Sequence, residues 1–128
     1  MEPARFLTID LDMRSRSSLT PLALAWPQAY QPSNDSRWLI MNAFVADTAE
    51  NAAKNLLGHI AKLKRKALGS WKRAHRRIFD IGVQAGGPGR AFEEVRLSAD
   101  TLRRIAAVGG TIQVTIYPAE PKSRDSAR

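Results

Sequence analysis

The amino-acid sequence predicts an α+β domain: a five-stranded, mainly antiparallel sheet with two or three helices, in the order strand, helix, strand, helix, strand, strand, helix, strand. Three observations predict it. Leu7 to Met13 and Thr111 to Tyr117 alternate apolar and polar residues with the period of a half-buried strand. Between Ala49 and Leu63 apolar residues recur at helical spacing. In the middle, two strand-like runs, Ile78 to Gln84 and Phe92 to Leu97, follow one another with no helical segment between them, which favours antiparallel pairing over a doubly wound sheet.

In the first strand Leu7, Ile9, Leu11 and Met13 point one way and Thr8, Asp10 and Asp12 the other. Ser17, Ser18 and Thr20 offer capping hydroxyls and Pro21 suits a first helical turn, so a short helix spans about Leu19 to Trp26. Pro27 to Arg37, rich in Pro, Ser, Asn and Asp, is a loop, and the mostly apolar Trp38 to Val45 is a buried strand. Asp47 and Glu50 stand at capping-box spacing, and the longest helix starts there, with Ala49, Ala52, Ala53, Leu56, Leu57, Ile60 and Leu63 on its apolar stripe. Lys64 projects onto that stripe, so either the helix ends near Leu63 or the lysine stem lies along the core with its ammonium in water. Gly69 is a natural break, and Ser70 caps a short helical turn through His75. Ile78 to Gln84 reads as a central strand, Ala85 to Arg90 as a glycine-rich loop and Phe92 to Leu97 as the next strand. Ser98 caps a helix that carries Leu102, Ile105, Ala106 and Val108 toward the core, and Gly109 fits the left-handed residue past its end. The last strand sets Ile112, Val114 and Ile116 against Thr111, Gln113 and Thr115.

A length of 128 residues suits one domain, residues 1–118, followed by a polar tail, 119–128, that frays. A hydrophobic content of 44% supplies a core without a disulfide or metal staple. With no cysteine, disulfide frameworks, thiolate nucleophiles and cysteine-bearing metal sites are excluded. Acidic residues inside its apolar stretch make Met1 to Met13 a strand and not a signal peptide, and no apolar run approaches the roughly 18 residues of a membrane span. A bacterial cytoplasmic protein is the expectation.

The formal net charge of +8 is unevenly distributed. Asn51 to Phe79 carries nine Lys or Arg and no Asp or Glu, whereas the rest of the chain carries eleven basic and twelve acidic residues. Lys62, Lys64, Arg65, Lys66, Lys72, Arg73, Arg76 and Arg77 fall within sixteen residues. Such a run is the ordinary solvated face of a helix, a surface for an acidic protein, or a phosphate-neutralising patch on which Trp71 would stack a base. No helix-turn-helix, zinc-finger, RNA-recognition or KH signature accompanies it.

Asp10 and Asp12 share the polar face of the first strand. Paired carboxylates there act as acid and base, hold a divalent cation, or simply keep an exposed strand face soluble, which is the simplest reading. Asp80, flanked by Phe79 and Ile81 in an interior strand, needs a hydrogen bond or an ion pair, and Arg76 or Arg77 is within reach. It is either the polar anchor of a pocket near Gly86 to Gly89 or a cap on that loop. The loop itself lacks P-loop spacing and the Lys-Ser/Thr pair. His59 and His75 have no metal-ligand spacing, and no Gly-x-Ser-x-Gly elbow is present. No catalytic residue, metal, cofactor or enzymatic activity is therefore expected. Trp26, Trp38, Phe44, Trp71, Phe79 and Phe92 read mostly as core packing, with Trp26 and Trp71 the two placed at a surface.

Phe79-Asp80-Ile81-Gly82, Gln84-Ala85-Gly86, Leu97-Ser98-Ala99-Asp100-Thr101-Leu102 and the closing Ile112-Gln113-Val114-Thr115-Ile116-Tyr117-Pro118 together resemble a bacterial family of small α+β proteins classed as a domain of unknown function. Leu11-Asp12, Ser17, Leu19, Pro21, Leu22 and Trp38-Leu39 are similar as well, so the likeness spans most of Phe6 to Pro118. It departs in the basic run Lys62 to Arg77, where acidic residues would be more ordinary. Small domains of this kind are often found near toxin and immunity genes. The resemblance thus implies a small intracellular protein-binding module, an immunity-type or regulatory partner of an acidic toxin or effector, and carries over no catalytic residues. Lys62, Lys66, Trp71, Lys72, Arg73, Arg76 and Arg77 are the expected interface. The alternative is a sequence-nonspecific nucleic-acid-binding protein that uses the same patch; no membrane partner is expected.

Overall fold

A computed structural model describes residues 5–43, 46–86 and 94–118. Phe44, Val45, the Gly87 to Gly89 part of the predicted loop, Phe92 and the predicted tail lie outside the described residues. The elements are β1 (Arg5–Arg14), α1 (Thr20–Ala25), a single 3-10 turn (Pro32–Asn34), β2 (Trp38–Asn42), α2 (Ala49–Ala61), α3 (Arg65–Arg73), β3 (Arg76–Gln84), α4 (Ala99–Ala107) and β4 (Thr111–Tyr117). They form one mixed sheet in the order β2-β1-β3-β4. β1 is antiparallel to both β2 and β3, and β3 is parallel to β4.

The alternation read in β1 decides the layering. Leu11 sits in register between Met41 and Phe79, and Met13 is in register with Leu39 and Ile9 with Ile81. These side chains share one face and are all buried. The α2 stripe of Ala49, Ala52, Ala53, Leu56, Leu57 and Ile60 is buried against that face, and its alanines let the helix approach β1 closely. Each fully buried Leu or Ile there contributes about 1.5–3 kcal/mol. The other face of the sheet carries Asp10, Asp12 and Asp80, together with Ile40 and Ile78.

Four strands and four α-helices replace the expected five strands and two or three helices among the described residues. Glu94 to Leu97 is not a strand but the irregular approach to α4. Only Val95 and Leu97 carry its alternation, and Val95 is exposed while Glu94 pairs with Arg96 at 3.0 Å. Among the described residues α4 is the one element between them, and β3 and β4 run parallel, so the antiparallel pairing expected in the middle of the chain does not form.

The helix break also falls elsewhere. Lys62 caps α2, Lys64 is the extended N-cap of α3, and α3 runs unbroken through Gly69 and Ser70. A helical glycine costs about 1 kcal/mol relative to alanine. Burial of Ala67, Ser70 and Trp71 on one side of α3 outweighs that cost. Between the two possibilities for Lys64, the structure takes the first: α2 stops before Leu63 and Lys64 is exposed. In α4, Thr101 and Ile105 turn inward and Leu102, expected in the core, is 43% exposed. Ile112, Val114 and Ile116 share the face of Phe79, Ile81 and Val83 by register, yet Val114 and Ile116 are 55% and 68% exposed, because the helical layer does not cover this edge strand.

No capping box forms at α2. Its N-cap is Thr48, whose hydroxyl accepts from the Asn51 N–H at 3.1 Å. Glu50 instead reaches the start of α4 and accepts from the Ser98 N–H, the Ser98 hydroxyl and the Thr101 hydroxyl, each at 2.9 Å. The Ser98 hydroxyl also accepts from the Thr101 N–H at 3.1 Å as the predicted cap of α4. The Ser98 N–H, followed by the two hydroxyls and Lys54, holds the Glu50 carboxyl down at about 2, against an ordinary 4.5. A single carboxylate thereby ties the N-terminal ends of α2 and α4 together.

Two tests follow from this packing. A Cβ on Gly110 would stand 2.6 Å from the Phe79 ring, whereas one on Gly58, inside α2, would meet nothing within 4 Å. Gly110→Ala therefore destabilises by about 1–3 kcal/mol and Gly58→Ala stabilises by about 0.5–1 kcal/mol in urea unfolding. The Glu50 contribution is fully present above its unfolded value near 4.5 and is lost as pH falls toward 2. Glu50→Gln melts below wild type at neutral pH, and the gap closes over that acid range.

Candidate functional site

The orientation of α3 determines what the basic stretch can do. Ala67, Ser70 and Trp71 face the core, so the 3.6-residue period turns Arg65, Lys66, Lys72 and Arg73 to solvent. Lys62, at the end of α2, and Lys64, at the start of α3, are exposed beside them. Among the described residues, no Asp or Glu forms a salt bridge with any of these six. The region is a cationic surface built on one helix and its lead-in.

Three of the seven expected interface residues are placed differently. Trp71 is 2% exposed. Its ring meets the edge of Trp26 at 6.1 Å and its indole N–H donates to the Val108 carbonyl at 3.1 Å. Both tryptophans assigned to a surface are thus buried. Each ring offers a large apolar area, and Trp71 finds a partner for its one polar atom inside. Arg77 points to the helical side of β3, where its guanidinium lies 5.8 Å from the centre of the Trp71 ring and donates to the Trp71 and Lys72 carbonyls. It closes the end of α3. Arg76, one residue earlier on the strand, emerges on the opposite face and stands 3.8 Å from the Asp12 carboxylate. Lys62, Lys66, Lys72 and Arg73 are exposed, as expected of the interface.

The opposite, open face of the sheet gathers what the sequence could not place together. Asp80 is the register partner of Asp10, with Asp12 two residues along the same strand. Neither Arg76 nor Arg77 pairs with Asp80; the Thr115 hydroxyl donates to it at 2.7 Å. Asp12 accepts from the Trp38 indole N–H at 2.8 Å, and the Arg14 guanidinium stacks 4.0 Å above that indole. Asp10 is half-buried and one of its oxygens has no hydrogen-bond partner among the described residues. Burial first, then the charges of Asp80 and Asp12, push its carboxyl above the usual value. Period-two alternation assigns each carboxylate to a face, but only strand register brings Asp80 to Asp10. Among the described residues, no group of three His, Asp or Glu side chains has the arrangement to hold a metal ion.

No protein family, curated protein or solved structure matches the chain. Among the described residues no helix is long and apolar enough to cross a membrane.

The raised Asp10 value has a stability consequence of definite sign. The folded state holds this proton more firmly than the unfolded chain, so ionisation at neutral pH costs stability that is recovered as pH falls below the ordinary value of 3.8. Asp10→Asn raises the melting temperature at neutral pH, and the gain disappears in acid. A melting temperature at neutral pH unchanged or lowered by the substitution would show that Asp10 is not strained by its neighbours.

Proposed function

We propose that the chain is a small protein-binding module that presents the outer face of α3 and the end of α2 to an acidic protein partner. The observation that carries this reading is the group of six exposed cations, Lys62, Lys64, Arg65, Lys66, Lys72 and Arg73, with no carboxylate among the described residues bridged to them. Individual exposed pairs add only about 0–1 kcal/mol to affinity. A one-signed surface acts mainly on encounter, raising association rates about 10- to 1000-fold and suppressing like-charged partners. An immunity-type or regulatory partner of a toxin or effector is the role that the family resemblance implies, and a cytoplasmic setting belongs with it.

Two features favour a protein over nucleic acid. Buried Trp71 offers no ring face for a base to stack on. The centre of the open sheet face carries Asp10, Asp12 and Asp80, which repel phosphate.

The combined variant Lys66→Glu, Lys72→Glu and Arg73→Glu tests the reading. All three side chains are exposed, so its melting temperature stays close to wild type. Affinity capture from source cells with both proteins, followed by titration of the recovered partner in purified form, should give an acidic protein that binds wild type in a salt-sensitive way and loses at least tenfold with the variant. A partner held equally by both, or tighter binding to short single-stranded DNA than to any protein, contradicts the assignment.

A further inference from the structure

The cationic surface borders an apolar groove where α2 ends, α3 packs and α4 ends. Its volume is about 470 Å³. Leu63, Leu68, Trp71 and Val108 supply apolar walls, and Lys72 and Arg77 stand in its lining. Among the described residues no Asp or Glu lines it. Leu68 and Val108 are only partly buried, so the walls still have apolar surface to cover. The C-terminal ends of α2 and α4 meet there, and each brings a partial negative charge of about one half. Lys72 and Arg77 in the lining, with Lys62 as the C-cap of α2 and Arg104 in the last turn of α4, set whole positive charges against the two half charges of the helix ends.

We propose that this groove is the anchor point of the interface and takes one apolar side chain, of the size of Leu or Phe, from a protein segment whose flanking residues are Asp or Glu. The proposal rests on reading the α3 surface as a binding face for an acidic protein and adds the location and chemistry of its specific contact. Charge complementarity selects the occupant. A second copy of a chain with net charge +8 brings the wrong sign. A nucleic acid would match the rim, but the Arg77 guanidinium is engaged by the Trp71 and Lys72 carbonyls, the Trp71 ring is engaged by Trp26 and Arg77, and the walls apart from Lys72 and Arg77 are apolar. An acidic segment with an apolar centre matches both parts: carboxylates meet the rim and steer the approach, and the central side chain covers Leu68 and Val108.

The experiment uses the full chain, isotope-labelled for NMR, and three probes: a short peptide of Asp and Glu with a central Leu, the same peptide with a central Ser, and a short single-stranded DNA. The Leu peptide should bind about tenfold or more tighter than the Ser peptide, the equivalent of burying one leucine. Its largest amide shifts should fall on Leu68, Lys72, Ala107, Val108 and Gly109. Ala107 lines the groove and is exposed, so Ala107→Trp fills the groove without disturbing the core. It should abolish the preference for Leu while leaving binding of the Ser peptide intact; Lys72→Glu should weaken both. Equal affinity for the two peptides overturns the anchor groove while leaving the cationic surface standing. Binding that is insensitive to Lys72→Glu and to salt overturns both. No detectable binding of the Leu peptide at about 1 mM overturns the anchor, as does DNA that displaces the Leu peptide and is indifferent to Ala107→Trp.

Discussion

Trp71 is held from three directions. The edge of Trp26 meets its ring, the Val108 carbonyl accepts its indole proton, and the Arg77 guanidinium lies over it while binding the carbonyls that end α3. These contacts tie α3 to the end of α4 and to β3, and they leave one rotation of α3 about its axis. In that rotation Ala67 and Ser70 go inward and Arg65, Lys66, Lys72 and Arg73 go outward. The cationic surface is therefore a consequence of how an apolar indole is buried. Arg77, counted by sequence among the surface charges, is one of the groups that make the burial possible.

The molecule is divided electrically by its sheet. On the helical side, Lys54 and Arg103 pair with Glu50 and Asp100, but the six cations of α3 and its lead-in have no bridging carboxylate among the described residues. On the open side, Asp10, Asp12 and Asp80 lie at the centre of the strands, relieved by Thr115, Trp38 and Arg76. Consecutive strand residues point to opposite faces, so Arg76 and Arg77 serve opposite sides of this division. The half-buried Asp10 carries the strain of the arrangement, because one oxygen lacks a partner among the described residues and the like charges of Asp80 and Asp12 act on it. A polyanion approaching the open face meets carboxylates at its centre; an acidic partner approaching α3 meets cations that no carboxylate among the described residues bridges.

Elements whose signals are local and periodic were legible in the sequence. β1 and β4 follow from strict alternation, α2 from its alanine and leucine stripe, and α4 from the Ser98 cap and the Gly109 left-handed exit, whose φ is 76°. Features that depend on distant partners were not. Glu50 has the right spacing for a local box but finds better donors 48 residues away at Ser98. The Phe92 to Leu97 alternation is weak, and its described part, Glu94 to Leu97, forms no strand once Glu50 draws in Ser98. Gly69 suggested a break that tertiary burial of Trp71 overrides. The cations of the candidate site were visible as a charge run, but which of them share a surface depended on where β3 begins. A strand starting at Arg76 separates it from Arg77; one starting at Ile78 leaves both free.

The most direct test of the central claim needs no partner. Paramagnetic relaxation of backbone amides by an anionic and a cationic soluble nitroxide reports the local potential at each residue. With Trp71 buried as described, the anionic probe should be enriched over the cationic one most strongly at Lys66, Lys72 and Arg73, with the sign reversed at Asp10 and Asp80. Equal effects of the two probes along α3, or a maximum elsewhere on the molecule, would mean that the helix shows no uncompensated positive face.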